Sequence, residues 1–121
     1  INPSGKYYIP RNFYDVDFIL NLILKAGGIP VLAHPCRLPQ KNEALNSYVA
    51  ELTSKGLLGI ETFYPEHSKE DIIFYNSLAQ KYNLLQTAGS DWHSEKSQIK
   101  MGFELSNEDI IVKSLLNCKR D

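Results

Sequence analysis

The run Ile29-Pro30-Val31-Leu32-Ala33 is apolar at every position. A strand with one face in water alternates apolar and polar residues, so an unbroken run predicts a strand covered on both faces inside a parallel sheet. Pro30 lacks an amide N–H and is tolerated near the start of such a strand. Parallel strands need long crossovers, and the sequence supplies them. Leu57 to Phe63 and Leu84 to Ala88 are further strand-like runs, each preceded by a segment with helical spacing.

Val16, Ile19, Leu20 and Ile23 follow the i, i+3, i+4, i+7 pattern, with Asp15 or Asp17 as cap and Gly27-Gly28 as terminator. Leu45, Tyr48, Val49 and Leu52 mark a second helix ending at Gly56. Ser68-Lys69-Glu70-Asp71 has the capping-box spacing and starts a third, whose face is Ile72, Tyr75, Ala79 and Tyr82. Tyr7-Tyr8-Ile9, between Pro3, Gly5 and Pro10, reads as a short extended lead-in. Ser106-Asn107-Glu108-Asp109 predicts a last helix over 110–117. The alternation implies βαβ units with right-handed crossovers in an α/β fold with parallel strands.

At 121 residues the chain has the size of one domain, 1–121, too short to close an eight-stranded α/β barrel of roughly 250 residues. It opens Ile1-Asn2-Pro3-Ser4 and its one methionine is Met101, so a piece of a longer protein is expected. A net charge of −1 gives no field for an extended nucleic-acid or anionic-membrane surface. No apolar run approaches the roughly 20 residues that cross a bilayer, and no signal pattern is present, which points to the cytoplasm. Cys36 and Cys118 form no Cys-x-x-Cys pair and read as reduced thiols, with Cys36, two residues after His34, open to a role near a metal.

Functional groups in parallel α/β structures gather at the carboxyl ends of the strands. The first strand delivers His34 there, the second Glu61 and then His67, and the third the Asp91-Trp92-His93 motif, so all three histidines fall at one sheet edge. Singly, each has an ordinary alternative: His34 as a hydrogen-bonded strand end, Glu61 facing solvent between Ile60 and Thr62, His67 as a loop residue. Together, His34, Asp91 and His93 supply the imidazole and carboxylate donors that suit Zn²⁺, Mn²⁺ or Fe²⁺. A divalent ion there makes hydrolysis the natural chemistry.

Val31-Leu32-Ala33-His34-Pro35, Gly59-Ile60-Glu61 and Gly89-Ser90-Asp91-Trp92-His93, in this order and spacing, resemble the C-terminal part of the PHP (polymerase and histidinol phosphatase) family. Gly5-Lys6-Tyr7-Tyr8-Ile9-Pro10 and Ala26-Gly27-Gly28 are most similar to the branch of metal-dependent phosphoesterases that includes a nucleoside 3',5'-bisphosphate phosphatase. The resemblance implies a distorted seven-stranded β/α barrel with two or three divalent metals, commonly Mn²⁺, Zn²⁺ or Fe²⁺. It implies His34, Asp91 and His93 as metal ligands. Arg37, Glu61 and His67 then fall where the family lines its substrate pocket, Arg37 having a planar fork suited to phosphate, although a plain surface placement is equally ordinary for it.

The family's N-terminal half opens with a His-x-His motif and adds further ligands, and this sequence has no such motif. Hydrolysis of a phosphate ester, in a nucleotide, a nucleic-acid end or another small phosphorylated metabolite, is therefore expected of a parent protein and not of this chain alone. A catalytically inactive interaction domain and a metal-dependent amidohydrolase are the alternatives. An incomplete sheet also leaves an unpaired strand edge, so self-association is expected.

Overall fold

The computed structural model describes residues 13–95 and Gly102. The lead-in around residues 7–9, the helix expected over 110–117, the 96–100 part of the polar stretch after His93, and Cys118 lie outside the described residues.

Six elements follow one another: α1 (Val16–Lys25), β1 (Val31–Leu32), α2 (Asn42–Ser54), β2 (Gly59–Phe63), α3 (Lys69–Tyr82) and β3 (Leu85–Ala88), with a 3-10 turn over Pro35–Arg37 between β1 and α2. The strands form one parallel sheet in the order β1-β2-β3. This is the α/β architecture that the alternation predicts.

The helix ends follow from particular residues. The Asp15 carboxylate accepts the Asp17 N–H at 2.8 Å and starts α1. Gly27, at φ 75°, turns the chain so that the Gly28 N–H reaches back to the Ile23 carbonyl at 2.9 Å. A residue without Cβ adopts that conformation at little cost. At α3 the capping box closes: the Asp71 N–H donates to Ser68 Oγ at 3.0 Å and the Ser68 N–H donates to Asp71 Oδ2 at 2.9 Å. Two orphan donors of the first turn are thereby satisfied.

The core lies between the helices and the sheet. Leu45, Val49 and Leu52 of α2 meet Ile60 of β2 and Tyr75, Leu78 and Ala79 of α3, with Leu20 of α1, Leu57 and Leu84 completing the cluster. Burial of each large side chain contributes about 1.5–3 kcal/mol. A polar tie joins the two helices: the Tyr82 hydroxyl donates to Asn46 Oδ1 at 2.7 Å and Lys81 Nζ donates to the same oxygen at 3.0 Å.

β1 departs from the expectation drawn from its apolar run. Only Val31 and Leu32 pair with β2, and Val31 remains 36% exposed at the edge of the described sheet. Pro30 has no N–H to donate, and its carbonyl instead accepts the amides of Leu58 and Gly59. At the other end His34 turns into the left-handed region at φ 31° and stops the extended backbone. The strand covered on both faces is β2, where Gly59, Ile60, Thr62 and Phe63 are all buried. Leu57, expected to begin that strand, closes α2 by donating its N–H to the Leu52 carbonyl at 2.9 Å.

The β2–β3 register is regular from Gly59 to Glu61 and then slips, since Glu61 faces Thr87 while Phe63 faces Ala88. Thr62 is the extra residue. Such irregularities re-aim side chains near strand ends, and this one lies where the candidate site begins.

Candidate functional site

The carboxyl ends of the three strands come together as the parallel topology requires. His34 caps the 3-10 turn that follows β1, and its backbone N–H donates to Glu61 Oε2 at 2.6 Å. Glu61 thus crosses from β2 to the end of β1. Gly89, just past β3, lets the carboxylate lie close, because a Cβ there would stand 2.7 Å from Glu61 Oε1. One carboxylate on β2 therefore bonds the end of β1 and lies close against the end of β3.

Arg37 makes a second connection. Its Nη2 donates to Glu66 Oε1 at 2.9 Å, Nε to Glu66 Oε2 at 3.4 Å and Nη1 to Asp91 Oδ2 at 3.2 Å. The guanidinium carbon stands 5.4 Å from the centre of the Tyr64 ring, a cation–π arrangement. The hydrogen bond with Arg37 holds the Glu66 carboxyl below the usual glutamate value and raises the already high pKa of Arg37.

Tyr64 is the hub of the arrangement. It is buried, its ring is 5.8 Å from the His34 ring and 5.2 Å from the His67 ring, and its hydroxyl lies 3.5 Å from Asp91 Oδ2. Burial pushes its pKa up to about 12, so it stays a neutral donor at neutral pH. Neither Tyr64 nor Glu66 is singled out by the sequence motifs. Their position in the loop that directly follows β2 is the signal that could have found them.

His67, expected beside a substrate, is buried edge-on between Tyr64 and Tyr75. Its Nδ1 lies 2.9 Å from the Thr62 carbonyl, and its buried Nε2 has no hydrogen-bond partner among the described residues. The ring supports the Tyr64 loop from within. Cys36 pairs with no cysteine among the described residues, and its thiol is pushed up in pKa by burial and by the charges of Glu66 and Asp71.

Asp91 adopts φ 55°, so two of the three proposed ligands, His34 and Asp91, occupy the left-handed region. Such conformations cost about 1–3 kcal/mol and concentrate at functional sites. His93 has a side chain 78% exposed, with Nδ1 turned back to 2.6 Å from the Asp91 carbonyl oxygen. The donor types suit a divalent metal. Among the described residues, however, no three His, Cys, Asp or Glu side chains converge on one point that could hold an ion. His34 and Asp91 flank Tyr64, and Asp91 is engaged by Arg37. The described residues offer donors without a closed shell.

No family model matches the chain. It is 33% identical over 99 residues to a phosphoribosyl 1,2-cyclic phosphate 1,2-diphosphodiesterase of Eggerthella lenta, covering 75% of this chain and 35% of that protein. It is 26% identical to a 3',5'-nucleoside bisphosphate phosphatase of Chromobacterium violaceum, covering 78% of this chain and 33% of the relative. Among solved structures, a protein taken to be a metal-dependent phosphoesterase from Bifidobacterium adolescentis superposes with a TM-score of 0.67 at 28% identity, covering 95% of this chain and 41% of that one. The chain spans about a third of the length of these curated relatives.

Proposed function

We propose that this chain, which fits the PHP family over about a third of its members' length, forms the C-terminal part of a metal-dependent phosphoesterase. The substrate class is a phosphate ester of a nucleotide, a nucleic-acid end or another small phosphorylated metabolite, and activity requires the ligands that the family carries in its N-terminal half. The observation that carries the reading is the pair of bridges at the sheet edge: Glu61 to the His34 amide, and Arg37 to Asp91. Both link groups from different strands at the end where α/β enzymes do their chemistry.

In this reading His34, Asp91 and His93 are the donors that this chain contributes to a site for Mn²⁺, Zn²⁺ or Fe²⁺. Divalent ions in such a site offset charge on phosphoryl oxygens and acidify water. Arg37 offers N–H groups to the phosphate, and Glu61 fixes the backbone of His34. His67 acts through the packing of Tyr64.

The test is metal content and phosphate release by the full-length protein beside its His34→Ala and Asp91→Ala variants. Loss of metal and of activity in both is expected, and equal metal with equal activity would overturn the assignment. The exposed His93, whose Nδ1 is turned to the Asp91 carbonyl, favours one second reading, a domain that keeps these residues for structure alone. That reading predicts no tightly bound divalent metal in the full-length protein.

No helix among the described residues is long and apolar enough to cross a membrane. The exposed edge of β1 and the exposed Phe18 and Leu22 of α1 support self-association of the chain.

A further inference from the structure

We infer that Glu66 is a positioning residue, which holds Arg37 in one orientation so that its remaining N–H groups meet the substrate's phosphate. The inference rests on the phosphoesterase reading above and adds to it a residue that acts through Arg37.

Arg37 is the exposed last residue of a short turn, where a long side chain would ordinarily sample many rotamers. Here three constraints act on it together. Glu66 spans the Nε and Nη2 edge with both carboxylate oxygens, Asp91 takes Nη1, and the guanidinium carbon lies over the Tyr64 ring. The ring is itself fixed, being buried against His34 and His67. A guanidinium has five N–H donors. Among the described residues three are used, leaving one on Nη1 and one on Nη2 for an oxyanion.

Glu66 has no part in the core. Its side chain is 50% exposed, and its partners are Arg37 and, more weakly, the Tyr64 hydroxyl. A carboxylate that braces one edge of an arginine while the terminal nitrogens keep free donors is a preorganised arrangement, which lowers the entropy lost when the ligand binds.

Inorganic phosphate is the probe, titrated calorimetrically into the full-length protein at fixed ionic strength for wild type, Glu66→Ala, Arg37→Ala and the double variant. Loss of an exposed brace is expected to weaken phosphate binding about two- to fivefold. In the Arg37→Ala background the Glu66→Ala change should do nothing, because the residue acts through Arg37. Glu66→Gln, which keeps an acceptor without the charge, should fall between wild type and Glu66→Ala. Equal weakening in both backgrounds would overturn the inference in favour of a purely structural role. Unchanged or tighter binding in Glu66→Ala would also overturn it, tighter binding meaning that the carboxylate competes with phosphate. Phosphate binding that is absent in the wild type, or indifferent to Arg37→Ala, would overturn the phosphate-site reading itself.

Discussion

Glu61 is the carboxylate on which the strand ends depend, and its removal should be costly for a residue that is only half-buried. Its Oε2 accepts the His34 N–H at 2.6 Å, a short, charge-assisted bond. Hydrogen bonds to charged groups contribute about 1.5–3 kcal/mol, and partial exposure moves the expectation to the lower end, about 1–2 kcal/mol for Glu61→Ala. The His34 amide would be left without its acceptor while the residue still holds φ 31°. For a domain of this size, 1 kcal/mol corresponds to roughly 4–8 °C in Tm, so a drop of about 5–10 °C is expected. Equilibrium urea unfolding measures it directly, with an unchanged m-value as the check that only stability has moved. Glu61→Gln, which keeps an acceptor, should lose less. Gly89→Ala approaches the same bond from the other side, since its Cβ would meet Glu61 Oε1 at 2.7 Å. The two losses should therefore be less than additive. A Glu61→Ala variant within about 0.5 kcal/mol of wild type, or full additivity with Gly89→Ala, would refute the reasoning.

Ile60 is wholly buried at the centre of β2, so Ile60→Ala should cost about 2–5 kcal/mol by urea unfolding, and a cost below about 1 would contradict the packing described. Burial alone would raise the pKa of Asp71, but hydrogen bonds from the Ser68 amide and hydroxyl outweigh it and hold the carboxyl below its ordinary 3.8. The stability it contributes is present above that ordinary value and is lost as pH falls through the lower folded value. The gap between wild type and Asp71→Asn should accordingly shrink below about pH 4, and a gap constant from pH 6 to pH 3 would exclude the effect. Self-association through the β1 edge predicts a concentration-dependent elution volume of the chain in gel filtration, abolished by Val31→Lys, and strictly monomeric elution at high concentration would count against it.

The helices were legible where local chemistry decides them. Ser68 and Asp71 form their capping box from residues three apart, and Gly27 ends α1 by its own backbone freedom. β1 was legible in place but not in extent, because its burial depends on a neighbour across the sheet and its end on the left-handed turn at His34. In the site, the bridging of Asp91 by Arg37 spans 54 positions and leaves no periodic trace in the chain. Tyr64 reads in sequence as a loop residue, since nothing local announces that three other side chains will pack on its ring. His67 has the same limitation in reverse: its residue type suggests a ligand or substrate contact, and only tertiary packing reveals that its ring is enclosed by two tyrosines.

The extra residue at Thr62 sets a limit on how this chain can be shortened or lengthened. Side chains along a strand alternate between faces, and the extra residue between Glu61 and Phe63 re-aims those around it, so removing it would make the ladder regular and change the direction in which the strand end points. The loop that carries Tyr64 and Glu66 starts at that strand end and would move with it. A surface loop such as the one before α2 can absorb a residue by bulging into solvent. At Thr62, fully buried, a single deletion is felt by the strand end and by the loop that follows it.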